Sequence, residues 1–133
     1  MTDANSPVPL DAGKNPARIF SIERLFENFM GNTTLVKSLL VRFMERTEHQ
    51  LTDIPLLAEQ GDWETATREA HTIKGSARSL SALDLGDTAA RWEEACKTGD
   101  TLAVWALVPE MTEAFGRFKA AVNRCLADEE DQA

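Results

Sequence analysis

Apolar residues recur at three- and four-residue steps through nearly the whole chain, and no stretch alternates polar and apolar residues as a strand would. Val36, Leu40, Phe43, Thr47, Leu51, Ile54 and Ala58 share one helical face. Trp63, Ala66, Ala70, Ile73, Ala77 and Leu80 share another, as do Leu85, Ala89, Trp92 and Cys96. A last series, Val108, Met111, Phe115, Phe118, Val122 and Cys125, runs at near-heptad spacing. Each stripe needs a partner to cover it, and short connections between long amphipathic helices favour antiparallel neighbours. The expectation is an all-α fold, an antiparallel four-helix bundle with a short N-terminal accessory helix.

Helix punctuation places the boundaries. Ser21 is positioned to cap a short helix bearing Ile22, Leu25, Phe26 and Phe29, which Gly31 and Asn32 end. A long helix follows, from about Thr33 to Gln60, with a kink expected near Leu51 because Pro55 lacks a backbone donor. Gly61-Asp62 and Gly99-Asp100 each read as a helix stop followed by an N-cap. Between them lie a helix ending near Leu80 and another from about Ala82 to Lys97. Pro109 is expected to divide the final segment into a short helix, Leu102 to Leu107, and a longer one. Residues 1–17, with Pro7, Pro9, Gly13 and Pro16, read as a flexible leader; 18–127 form the bundle; 128–133 read as a solvated acidic tail.

Charge and composition narrow the chemistry. A net charge of −8 argues against nucleic acid as a partner, since a phosphate backbone needs a basic footprint. No apolar run approaches the roughly 20 residues of a membrane span, and no signal-peptide pattern opens the chain. The two cysteines, Cys96 and Cys125, sit in apolar-periodic segments, as buried thiols in a reducing compartment would. A cytoplasmic, monomeric protein without membrane contact is the expectation; the leader and acidic tail lean toward a free-standing chain over an excised domain, and both readings stay open.

One helix face carries a chemical pattern. At 100° per residue, His71 falls roughly 130° from the centre of its helix's apolar arc and should face solvent. Glu64, Thr67, Lys74, Gly75 and Arg78 fall on the same outward sector. Lys74 and Gly75 flank His71 at three and four residues. A neutral imidazole nitrogen can attack phosphorus, and the product stores transferable phosphate. Lys74 would set an ammonium beside the phosphate oxygens, and Arg78 could add a second cation. Glycine inside a helix costs about 1 kcal/mol against alanine. Its presence at 75 suits close approach of another protein to His71. Against this stands the plain reading that an exposed histidine on a helix is ordinarily only a surface residue.

The segment His71-Thr72-Ile73-Lys74-Gly75-Ser76-Ala77 resembles the signature of histidine-containing phosphotransfer (HPt) domains, a histidine followed at three and four residues by Lys and Gly. The likeness extends to Leu39-Leu40-Val41-Arg42-Phe43, Gly61-Asp62, Ala70, Ala82, Leu85, Trp92-Glu93 and Gly99-Asp100, and covers about Ile19 to Leu126. Ser81 departs from it, standing where the family commonly has glycine, though a serine there can also cap the next helix.

The resemblance implies a four-helix bundle in which His71 takes the phosphate, Lys74 supports the phosphorylated form and Gly75 keeps the docking surface open. It implies a relay without kinase activity of its own. A receiver-domain aspartyl phosphate or a sensor or hybrid histidine kinase would load His71, and a receiver domain would unload it. No cofactor is expected, any Mg²⁺ belonging to the receiver's acidic pocket. The docking surface would centre on His71 and Gly75, with Thr67 and Glu64 on the same sector, and Phe29 or Leu35 as apolar candidates on neighbouring helices.

Three other readings stay open. A helical adaptor would never carry acid-labile, alkali-stable phosphate. The dimerising domain of a histidine kinase would need an ATP-binding domain beyond the bundle. A metal site built on His49 and His71 would lack the paired Glu-x-x-His arrangement of metal-binding bundles.

Overall fold

The computed structural model describes residues 15–132, which fold into six helices with no strand among them. They are α1 (Pro16–Ile19), α2 (Ile22–Asn28), α3 (Thr33–Glu59), α4 (Trp63–Ser79), α5 (Leu83–Lys97) and α6 (Thr101–Gln132). The four long helices form a ring of neighbours: α4 packs on α3 and α5, and α6 packs on α5 and α3. Their stripes meet in one core that includes Leu40, Phe43, Ile73, Leu85, Trp92, Met111, Phe115 and Phe118. Trp92 is fully buried and its indole N–H donates to the Val104 carbonyl at 3.0 Å, so the bulkiest core side chain has its polar atom satisfied.

The three links between long helices share one design. Each spans three residues, of which the middle one has positive φ: Gly61, Ser81 and Gly99. The amide of the third residue reaches back into the finished helix, from Asp62 to the Leu57 carbonyl, from Ala82 to Ala77 and from Asp100 to Ala95. This is the Schellman ending, which satisfies carbonyls a helix terminus would otherwise orphan. Asp62 and Asp100 then cap the following helix by accepting from the Thr65 and Ala103 amides. At the middle link the expected serine cap does not form. Positive φ sets Ser81 one residue too early; Ala82 is the N-cap, with no side-chain bond, and the buried Ser81 Oγ has no partner.

Several expected boundaries shift. The accessory element is two short helices, not one. Asn15 caps α1 with Pro16 in its first turn, a position where proline's missing donor costs nothing, so helix begins inside the segment expected as leader. Residues 1–14 of that leader lie outside the described residues. At the other end, α6 continues through Asp128 to Gln132 where a tail was expected. The division expected at Pro109 does not occur. Pro109 is exposed, while Val104, Leu107, Met111, Phe115, Phe118 and Val122 are buried along one face spanning it. That continuous burial outweighs the cost of about 3 kcal/mol of one helical proline. α3 likewise runs unbroken through Pro55.

The N-terminal helices are tied down by side chains. Arg18 pairs with Asp84 at 2.9 Å and with Asp87, joining α1 to the start of α5. Phe20 meets Phe118 edge-on at 5.5 Å between ring centroids. Cys96 and Cys125 are free, and burial pushes the Cys96 thiol up to about 11. No helix among the described residues is long and apolar enough to cross a membrane.

Candidate functional site

The capped start at Asp62 and the buried series Ala66, Ala70, Ile73 and Ala77 fix the rotation of α4. That rotation turns His71 outward, with 63% of its side chain exposed. Its ring is nevertheless held. Nδ1 lies 2.8 Å from Oε2 of Glu93 on α5. A carboxylate only accepts, so the bond requires the proton on Nδ1, and in the neutral ring the free lone pair is then on Nε2.

Glu93 is the residue that sequence reasoning passed over as a site member. Its side chain is 7% exposed, yet it carries a charge that three nitrogens share. Lys74 Nζ stands 2.5 Å from Oε1, and Lys97 Nζ stands 3.6 Å from Oε2. Burial works to raise the Glu93 carboxyl. Hydrogen bonds from Lys74 and His71, with the charges of Lys74 and Lys97, outweigh it and hold the group below its ordinary value. The signal was present in the sequence as a glutamate four residues beyond Ala89, inside the apolar stripe of α5.

The other expected residues divide. Lys74 joins the cluster, but its ammonium is committed to Glu93 and its side chain is only 21% exposed. Gly75 is exposed, and a Cβ built there would meet no atom within 4 Å beyond its neighbours and its own helix backbone. Arg78 points to α5, where it pairs with Asp87 at 3.5 Å and lies across Gly86, whose added Cβ would come within 2.9 Å of Arg78 Cγ. Glu64 is exposed and Thr67 half-buried on the same side of α4, and neither hydrogen-bonds to or pairs with the His71–Glu93 cluster.

Beside His71 runs a groove of about 550 Å³ between the end of α2, α3 and α4. Phe29, Leu39 and Phe43 supply its apolar wall, Arg42 and Arg46 its cationic edge, and His71 and Gly75 its border on α4. Leu35, the other apolar candidate, is exposed nearby in sequence on α3 but does not line the groove. His49 belongs to α3 and His71 to α4; among the described residues no group of three or more His, Cys, Asp and Glu is arranged to hold a metal ion.

No curated protein and no solved structure matches the chain. A family model for the Hpt domain matches residues 38–124, which takes in most of α3 and α6 and all of α4 and α5. That match covers more than half of the 133 residues and includes His71, Lys74, Gly75 and Glu93. The chain therefore belongs to the Hpt domain family, helical modules of histidine phosphotransfer in two-component signalling.

Proposed function

We propose that this protein is a phosphorelay intermediate that accepts a phosphoryl group on His71 and exchanges it with the aspartate of a receiver domain. The observation that carries the reading is an exposed imidazole whose Nδ1 is bonded to a buried carboxylate, so that a single, oriented nitrogen faces solvent.

The chemistry balances at that nitrogen. The Nε2 lone pair attacks phosphorus of an aspartyl phosphate, an N–P bond forms, the acyl P–O bond breaks, and the electron pair returns to the aspartate as carboxylate. The proton on Nδ1 stays in place. Positive charge builds on the ring as the N–P bond forms, and the Glu93 carboxylate offsets it. In the reverse direction an aspartate oxygen attacks phosphorus and neutral imidazole leaves with its Nε2 lone pair restored. Lys74 is the cation closest to hand for the phosphoryl oxygens. Arg78 would have to leave Asp87 to assist. Phosphate entering from a sensor or hybrid kinase would reach the same nitrogen.

The groove beside His71 is where a receiver would dock. Its wall of Phe29, Leu39 and Phe43 offers apolar contact, and Arg42 and Arg46 suit the acidic rim around a receiver's aspartate, where any Mg²⁺ would sit. Gly75 presents bare backbone along the approach.

Incubation with receiver domains carrying labelled aspartyl phosphate tests the proposal. Label should move to the protein, survive alkali and be lost in acid, and His71→Gln should abolish it. Stable label on His71→Gln, or no transfer from any receiver tried, would leave the chain as a helical adaptor.

A further inference from the structure

Glu93 holds one negative charge in a nearly closed site, and two lysines stand ready to neutralise it. Lys74 reaches it from α4 at 2.5 Å. Lys97, one turn farther along α5, reaches it at 3.6 Å, with 55% of its side chain exposed. A pair at this i,i+4 spacing adds only a few tenths of a kcal/mol, about 0.2–0.5, to a resting helix. The arrangement gains meaning when His71 is phosphorylated, a step that rests on the relay reading above.

A phosphoryl group on Nε2 places up to two negative charges beside the residues that surround the ring. Lys74 shares Glu93 with His71, so its ammonium stands at the edge of that new charge. For Lys74 to turn toward the phosphoryl oxygens, it must give up a carboxylate that is 7% exposed. A buried carboxylate without a counter-ion is costly, and that cost would hold Lys74 back. Lys97 removes the obstacle. It is long, flexible, already oriented to Glu93 Oε2, and needs to move by less than one ångström to reach ordinary hydrogen-bond distance of roughly 2.8 Å.

We propose that Lys97 is a positioning residue for phosphotransfer: it takes over Glu93 as Lys74 turns to the phosphoryl group on His71. Glu93 then keeps its charge and its bond to Nδ1 in both states, and the phosphoryl group gains a cation without leaving a buried anion uncovered.

Phosphoramidate, a small donor that needs no partner protein, allows a direct test on the full chain. Nε2 attacks its phosphorus, the P–N bond to ammonia breaks, and ammonia leaves. The ³¹P resonance of the product, followed against pH, then reports the acidity of the phosphoryl group. A nearby ammonium makes that group more acidic. Lys97→Met should weaken the acidity by about threefold, roughly half a pH unit, toward the value of Lys74→Met. Lys97→Arg should keep it. In a Lys74→Met background, Lys97→Met should change nothing further, because no lysine remains to be released. An unchanged titration in Lys97→Met would overturn the proposal. So would an equal shift in the Lys74→Met background, the mark of simple long-range attraction. Failure of phosphoramidate to label His71 would instead remove the relay reading itself, and the two failures are therefore distinct.

Discussion

His71 Nδ1 and Glu93 Oε2 stand 2.8 Å apart, an exposed ring on α4 tied to a nearly closed carboxylate on α5. In the proposed relay, that bond decides which nitrogen would take the phosphoryl group. Nitrogen NMR of the neutral ring should show the proton on Nδ1 in the native protein. Glu93→Ala should release that preference and slow phosphotransfer by on the order of tenfold or more. Glu93→Gln, whose amide oxygen still accepts from Nδ1, should keep the tautomer and recover much of the rate. A native ring protonated on Nε2 would contradict the geometry.

The same carboxylate predicts how stability depends on acid. The folded protein holds Glu93 below its ordinary value of 4.5. A lowered folded-state value means that ionised Glu93 stabilises the fold above that ordinary value. The contribution fades as pH falls below about 4.5 toward the folded value. Glu93→Gln should therefore cost about 1–3 kcal/mol at pH 7, and the gap to the native protein should shrink on acidification. Urea unfolding of both proteins across pH 3–7 measures it. A gap that widens in acid would reverse the sign.

Gly75 separates folding from docking. A methyl group at 75 meets no atom within 4 Å beyond its neighbours and its own helix backbone. Gly75→Ala should raise stability by about 0.5–1 kcal/mol through helix propensity alone. A long side chain there, as in Gly75→Gln, should leave the helix content intact while weakening transfer from a receiver. Circular dichroism with thermal melts reads the first effect and receiver-dependent labelling reads the second.

Ser81 is strained where its counterparts are not. It adopts φ of 63° with its hydroxyl buried and unpartnered, at the position that Gly61 and Gly99 fill in the other links. Ser81→Gly relieves the backbone and removes the orphaned hydroxyl, against some added freedom in the unfolded chain. A net gain of about 1 kcal/mol is expected in chemical denaturation, with phosphotransfer unchanged.

These residues also mark what a sequence can disclose. Gly61-Asp62 and Gly99-Asp100 were readable because the stop and the cap are local, each written in adjacent residues. The outward face of His71 was readable because a stripe of alanines and Ile73 sets the rotation of α4 by itself. Pro109 misled because its penalty is local while the burial of Val104 through Val122 that overrides it belongs to the whole bundle. Glu93 escaped notice for a related reason. A charged residue on an apolar stripe is visible in the sequence, and Lys97 stands one turn along the same helix, but the partners His71 and Lys74 depend on how far α4 and α5 are slid along one another.

Gly86 carries the last consequence. Its missing side chain leaves the space through which the Arg78 stem crosses to Asp87. Any larger residue at 86 would press on that stem and force it to shift from its path to Asp87. A position with no functional group of its own thus helps to decide where the Arg78 guanidinium lies.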